Sequence, residues 1–466
     1  MKKMKPWLAA TLLATAVASA YADGEAKNVI FFLGDGMGPV TVTASRIYKY
    51  GEAGQLAMET LPRTARIKTY SLDAQTTDSA PSMAAYMTGV KTRNDVLGMD
   101  GATFAKAPSK DPATGVSNAI TTCPATGNGG PSTTLLELAA AKGKGTGAVT
   151  TARLTHATPA ATYAHSCHRD AEYEIARQAV PGGAGYNALL GSGVDVLMGG
   201  ISYYWRPYNA TTTPRGRPDG RDLVAELQGK GYTYVNDLPS LNAAPAGGKL
   251  IGLFDQALKE GHMSYELDRN PAVEPSLAQM TIKAIDILSK NPNGYFLMVE
   301  GGRIDHALHG TNAKRALADT VAFDDAVKAA LGKVDLGNTL VVVTADHDHT
   351  MAFNGYSHLG NDILGKTTNI KTRQFEKAAD GLPYTTLVFG NGGGPRKAAR
   401  DDLTNVDTSG NKDYLQEVGV PLGSPGSESH GGGDVMLFSN GAGSAGFKGT
   451  LDNTKVFGLV KKAAGL

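Results

Sequence analysis

The sequence is short of cysteine, of net charge and, beyond its first 22 residues, of long apolar runs. Its 466 residues hold two cysteines, Cys123 and Cys167, which leaves room for one bridge in an oxidising compartment or for two separate thiols. With 45 Lys+Arg against 44 Asp+Glu the formal charge is +1, so no global basic field exists to hold a polyanion such as DNA. Nucleic acid is therefore excluded as a specific partner, and any phosphate handled by this chain must be gripped locally. What is present is ordinary for a globular protein: hydrophobic residues at 41% and charged residues at 19% exclude disorder and fibres. The 58 glycines follow no fixed period and point to many tight loops.

The one long apolar run opens the chain. Lys2, Lys3 and Lys5 precede Trp7–Val17 and then Ala20-Tyr21-Ala22, the layout of a secretory signal cleaved after Ala22 or Ala20. A membrane-spanning helix needs about 20 apolar residues and finds fewer here. The expectation is a signal peptide over 1–22, an exported chain in a periplasm, no membrane span, and one domain over 23–466.

Apolar runs at Val29–Leu33, Ala148–Thr151, Tyr295–Val299 and Leu340–Thr344 read as buried parallel strands. Between them lie helical patterns over Thr133–Lys142, Leu277–Ser289 and Ala313–Leu331. The alternation predicts an α/β fold with a mostly parallel central sheet, helices on both faces, and chemistry beyond the carboxyl ends of the strands. Trp205–Gly220 and Asn361–Pro425 lack sustained period and read as insertions.

Those strand ends collect the chemistry. Val29–Leu33 runs into Gly34-Asp35-Gly36-Met37-Gly38, which alone is an ordinary structural turn. Tyr295–Val299 runs into Glu300-Gly301-Gly302-Arg303-Ile304-Asp305-His306-Ala307-Leu308-His309, and Leu340–Thr344 into Ala345-Asp346-His347-Asp348-His349. Asp305 and His309 stand four apart, so one helical turn puts both on one face as ligands for a single ion. Four of the ten histidines sit in these two clusters beside acids, where chance surface histidines would scatter. Imidazole with carboxylate and no thiolate suits catalytic zinc; Asp, Glu and Thr oxygens suit magnesium. A nucleophile candidate, Ser79, lies in Thr77-Asp78-Ser79-Ala80-Pro81 at the start of a helical pattern, where free N–H groups attract an anion. Read alone, the same serine is a helix cap.

Taken together with His156-Ala157-Thr158-Pro159-Ala160, Arg169 and Ser429-His430-Gly431-Gly432, these motifs resemble the alkaline phosphatase family over nearly the whole chain from Asn28. The resemblance implies one zinc on Asp305, His309 and His430, and a second on Asp35, Asp346, His347 and the Ser79 oxygen. It implies magnesium on Asp35, Glu300 and Thr158, with Asp35 shared. Ser79 would be the nucleophile that forms a phosphoserine, and Arg169, steadied by Asp78, the fork that binds substrate phosphate. Substrates would be phosphate monoesters of broad range, and the assembly a homodimer. His156 and His306 stand where many bacterial members carry Asp and Lys, which places them around the third metal and leaves that site open to zinc. Phe254-Asp255 and Glu274 sit near the calcium positions of animal members, although exposed acids are the ordinary reading. A sulfatase is the nearest rival through Ser79-Ala80-Pro81-Ser82, but Met83 stands where its motif requires Arg. A secreted metal-binding protein without turnover would need neither Ser79 nor Arg169.

Overall fold

The computed structural model describes residues 25–110, 120, 123–124, 126–254 and 261–466. The expected signal segment, residues 1–22, and Asp255 lie outside them. Eight strands come first: β1 (Asn28–Gly34), β2 (Arg63–Lys68), β3 (Gly145–Arg153), β4 (Val196–Gly200), β5 (Tyr232–Val235), β6 (Lys249–Phe254), β7 (Tyr295–Gly301) and β8 (Thr339–Ala345). Seven shorter or later ones follow: β9 (Asp348–His349), β10 (Met351–Phe353), β11 (Leu387–Gly392), β12 (Val418–Pro421), β13 (His430–Gly431), β14 (Val435–Gly441) and β15 (Gly449–Asp452). Ten of them form one sheet in the order β15-β2-β14-β8-β1-β7-β3-β4-β6-β5. Every pairing is parallel except those of β14, which runs antiparallel between β2 and β8.

The middle of that sheet is where the sequence is most apolar. β1, β7 and β8 are buried along nearly their whole length, which parallel strands covered on both faces require. The helices are α1 (Pro39–Tyr50), α2 (Ser79–Thr88), α3 (Leu135–Ala141), α4 (Ala157–Tyr163), α5 (Glu172–Gln178), α6 (Leu223–Gly229), α7 (Leu238–Ala243), α8 (Leu277–Leu288), α9 (Arg303–His309), α10 (Ala313–Leu331) and α11 (Asn453–Ala463). α1, α8 and α9 pack on α10, while α2 packs on α4 and α11, so two helical layers flank the sheet.

Register sets the level of the site. Leu33 pairs with Glu300 on one side and with Thr344 on the other, and Gly34 with Gly301 and Ala345. Thr150 pairs with Glu300 from β3. Asp35, Glu300 and Asp346 therefore emerge at one height along the carboxyl edge. The segment 361–425 is less shapeless than its composition suggests, since it carries β11 and β12, which join β10 in a three-stranded sheet. Cys123 and Cys167 are disulfide-bonded across a 44-residue separation. Closing a loop of that size contributes roughly 4 kcal/mol in the chain-entropy model.

Candidate active site

Three turns bring the first ligands together. After β1, Gly36 adopts φ 67°, and a Cβ there would lie 2.5 Å from the His349 ring, so glycine is required on both counts. Its N–H donates to Asp346 Oδ1 at 2.9 Å, which ties the β1 turn to the β8 turn. After β7, Gly302 leads directly into α9, and the single turn between Asp305 and His309 aligns them as the spacing predicts. β13 pairs antiparallel with β9, setting His430 opposite His349.

The result is a convergence of lone pairs. His309 Nδ1 lies 2.5 Å from the Glu428 carbonyl and His430 Nδ1 2.8 Å from the Thr77 carbonyl. A carbonyl only accepts, so both rings carry their proton on Nδ1 and turn a bare Nε2 inward. Those two Nε2 atoms are 3.1 Å apart and stand 3.3 and 3.5 Å from Asp305 Oδ1. With bare Nε2 atoms, three acceptors at such spacing are placed to hold a cation between them. Zinc with bonds of 2.0–2.1 Å to nitrogen and oxygen has tetrahedral edges of about 3.3 Å.

A second convergence lies beside it. His347 Nδ1 faces the Asp348 carbonyl at 3.2 Å, leaving Nε2 at 3.3 Å from both Asp35 Oδ1 and Ser79 Oγ and 3.4 Å from Asp346 Oδ2. Asp346 Oδ2 is buried without a hydrogen-bond partner. Burial, with Asp305 as its neighbour, pushes Asp35 up to about 7; burial and Asp35 do the same to Asp346. Glu300, driven well above the carboxylate range by burial and then by Asp35, completes a group that cannot be fully ionised without added positive charge. Its Oε1 has no partner, while Thr158 Oγ1 lies 3.3 Å from the second oxygen of Asp35. Those oxygens form a third donor set, with Asp35 shared.

Ser79 opens α2, but the cap is Asp78, whose side chain accepts from Ala80 N–H at 2.7 Å. The serine is thereby freed from capping, and its oxygen points at Asp35 (3.4 Å) as well as His347. Arg169 Nη1 donates to Asp78 Oδ1 at 2.9 Å and Nη2 to His156 Nε2 at 3.1 Å. The comparisons with known proteins decide what this cluster belongs to. The alkaline phosphatase family pattern matches residues 26–466. The alkaline phosphatase of Gadus morhua is 40% identical over 446 residues, covering 90% of this chain and 87% of the cod protein. The human tissue-nonspecific isozyme is 39% identical over 445 residues, 89% of this chain and 79% of its own length. This chain belongs to the alkaline phosphatase family. It is a phosphomonoesterase, a metal-binding hydrolase of phosphate monoesters. Among solved structures, the alkaline phosphatase of Thermus thermophilus superposes with a TM-score of 0.67 at 24% identity, covering 99% of this chain and 96% of that one. That of the Antarctic bacterium TAB5 gives 0.65 at 24%, covering 95% and 99%. Both share the fold.

In this phosphatase the third site has an imidazole neighbourhood that sequence reading reached only in part. His156 brings a ring nitrogen within 4.8 Å of Asp35 and Glu300 oxygens. Its Nε2, however, accepts from Arg169, so its proton sits on Nδ1 and no lone pair is left for an ion. His306 packs 5.4 Å from His156 between ring centres and takes an Arg303 N–H on Nδ1. The residue the sequence did not flag is His262, with its ring 4.0 Å from that of His306 and its Nδ1 accepting the Arg153 N–H at 3.0 Å. Burial drives all three histidines well below the ordinary range, and Arg169, Arg153 and Arg303 push the same way. His262 follows a stretch with no motif, and its only signal was membership of a small histidine set.

His349, already part of the strand-end cluster in the sequence, is joined here by Glu428, which the sequence did not flag. His349 Nε2 reaches Asp305 Oδ1 at 2.8 Å and Nδ1 reaches Glu428 Oε2 at 2.5 Å, both within hydrogen-bond range of carboxylates. Burial would lower this ring, but the two acids outweigh it and hold it at about 10. Glu428 also accepts from Thr350 N–H at 2.6 Å. Of the residues near the expected calcium positions, Phe254 ends β6, and Glu274 is not an exposed acid but fully buried, with Oε1 accepting from Ser264 N–H at 2.7 Å and Oε2 without a partner.

Proposed function

We propose that the chain hydrolyses phosphate monoesters through a phosphoserine on Ser79. One zinc would be held by Asp305, His309 and His430, a second by Asp35, Asp346, His347 and Ser79 Oγ, and magnesium by Asp35, Glu300 and Thr158. When bound, these ions supply the positive charge and Lewis acidity that activate oxygen nucleophiles and stabilise the leaving oxygen. The observation that carries the reading is the set of bare Nε2 atoms facing Asp305, with Ser79 Oγ set among Asp35 and His347 beside it.

The chain's own residues then have definite tasks. Ser79 sits in the first turn of α2, where unpaired N–H groups and the helix dipole favour an anionic phosphoryl group. Arg169 spends one donor on Asp78 and one on His156, and the rest of its planar fork is free to take phosphate oxygens. The serine oxygen attacks phosphorus, the alcohol leaves, and water then hydrolyses the phosphoserine to free phosphate. The arginine-bound imidazoles leave the third site to oxygen donors, which favours magnesium over zinc there. Two solved variants of the TAB5 enzyme, in which one histidine is replaced by Asp or by Glu, hold magnesium in their M3 site, consistent with acids strengthening magnesium at such a position.

We read residues 1–22 as a cleaved leader and the protein as periplasmic, on the strength of the Lys-then-apolar pattern. Among the described residues no helix is long and apolar enough to cross a membrane. A homodimer is supported by exposed apolar side chains along and before the 361–425 segment, such as Tyr356, Leu359 and Ile370. The unpartnered oxygen of Glu274 makes calcium there a separate reading. Trapping with labelled phosphate at low pH is expected to mark Ser79, and elemental analysis to give two zinc, one magnesium and any calcium. A label on another residue overturns the nucleophile; light scattering on the purified mature chain decides the dimer.

A further inference from the structure

The segment that presents Arg169 is a short antiparallel ladder rather than a helix. Leu97 N–H donates to Ser166 O at 3.0 Å, Ser166 N–H to Leu97 O at 2.8 Å, and Arg169 N–H to Asp95 O at 2.8 Å. Asp95, at φ 67°, donates its own N–H to the Asp78 carboxylate that holds the guanidinium. Where Arg169 points therefore depends on how residues 94–98 and 165–169 are held against the body of the protein. The Cys123–Cys167 bond is one tether.

A second is His165, whose side chain is 9% exposed. Its Nδ1 lies 2.6 Å from Gly98 O and its Nε2 2.7 Å from Glu137 Oε1 on α3. The Glu137 side chain is 1% exposed; burial raises it, but His165, Asn187 and the Thr134 N–H outweigh burial and keep it ionised. Both ring nitrogens thus face acceptors, and only the doubly protonated imidazolium satisfies both. Among the described residues Glu137 is the one charged group against the ring. From α5, Gln178 brackets the His165 backbone, accepting its N–H at 2.9 Å and donating to its carbonyl at 2.7 Å, with Glu174 behind it. The 94–98 segment contributes only the Gly98 carbonyl.

We propose that His165 is a positioning residue for Arg169: doubly protonated, it locks the 94–98 and 165–169 ladder onto α3, and losing that proton as pH rises loosens the grip on phosphate. The inference rests on Arg169 being the phosphate clamp. Burial alone would lower His165, yet Glu137 and the Gly98 carbonyl hold it above the ordinary value of 6.5. A group raised on folding contributes its full stabilisation below the unfolded value and loses it as pH climbs through the folded one. The neutral ring has one proton for two acceptors, so its bare nitrogen then faces either the Gly98 carbonyl or the Glu137 carboxylate and that hydrogen bond is lost. Product phosphate is then released more readily on the alkaline side, with Ser79 and the metal ligands untouched.

Two measurements on the metal-loaded enzyme test this. In histidine-15N-labelled protein, with His165 assigned through bonds to its backbone, both ring N–H signals are expected at pH 7 and one is lost at higher pH. A singly protonated ring at pH 7 overturns the proposal, whatever any variant does. In His165→Gln the competitive inhibition constant for inorganic phosphate is expected to rise roughly three- to tenfold at pH 7, the effect of one net hydrogen bond. Wild type and variant should converge as His165 titrates; equal constants at pH 7, or curves that stay parallel to high pH, overturn it. Failure of the underlying reading appears separately, as an Arg169→Ala enzyme whose phosphate inhibition is unaltered.

Discussion

Asp35 divides two groups of three histidines that look alike in the sequence and differ in what their second nitrogen touches. On one side His309, His430 and His347 give their Nδ1 protons to backbone carbonyls and turn bare Nε2 atoms inward. On the other, His156, His262 and His306 each accept an arginine N–H, from Arg169, Arg153 and Arg303. A histidine becomes a ligand or a bystander according to whether its outer partner is an acceptor or a donor. On the function proposed above, the first side would hold zinc and the second would leave its ion to Asp35, Glu300 and Thr158.

The largest effect that tests this division comes from the residue between its two sides. Ser79→Ala is expected to lower turnover by several orders of magnitude while zinc and magnesium contents stay at wild-type levels. Elemental analysis beside the rate constant checks it, and a parallel loss of metal would make Ser79 a structural ligand instead of a nucleophile. Next, Arg169→Ala removes a bidentate contact of about 2–3 kcal/mol, so substrate and phosphate should both bind more weakly in proportion. An altered zinc content in that variant would mean that the arginine side and the zinc side are not separable.

On the nitrogen side, Glu428→Gln cannot accept from both His349 and Thr350, and zinc affinity is expected to fall ten- to hundredfold by comparison with other outer-shell losses. Chelator competition for zinc and magnesium in one sample reads the contrast: equal weakening of both metals breaks it. The smallest shift is expected from His156→Asp, which adds negative charge beside the oxygen donors. Less magnesium should then be needed for half-activation, and identical titrations of the two proteins would deny His156 any influence on the third site.

Much of this was legible because the proposed metal ligands follow apolar strands at short, fixed offsets. Asp35, Glu300, Asp305, His309, Asp346 and His347 all lie within a few residues of β1, β7 or β8, and strands so apolar are recognisable alone. Helix α10 has the bounds its pattern predicts, Ala313–Leu331. The β2, β14 and β15 edge escaped because its strands alternate or carry polar residues, as Arg63–Lys68 does. His262 and Glu428 escaped for a different reason. Their roles exist only through contacts across the fold, to Arg153 and His306 or to His349 and Thr350, and no local spacing encodes such partners.

The pairing of Leu33 with both Glu300 and Thr344 has a consequence for how the gene can change length. Three strands act as parallel rulers that end at a common mark, and each residue added or removed within one ruler moves its ligand about 3.3 Å and turns it to the opposite face. A single-codon deletion in β7 ahead of Glu300 would therefore carry Glu300 out of register with Asp35 and Asp346, and with it the start of α9 that bears Asp305 and His309. The same deletion at an exposed turn of 361–425 displaces no ligand. Length variation among descendants of this sequence is thus confined by geometry to the loops, while substitutions remain open to the strands.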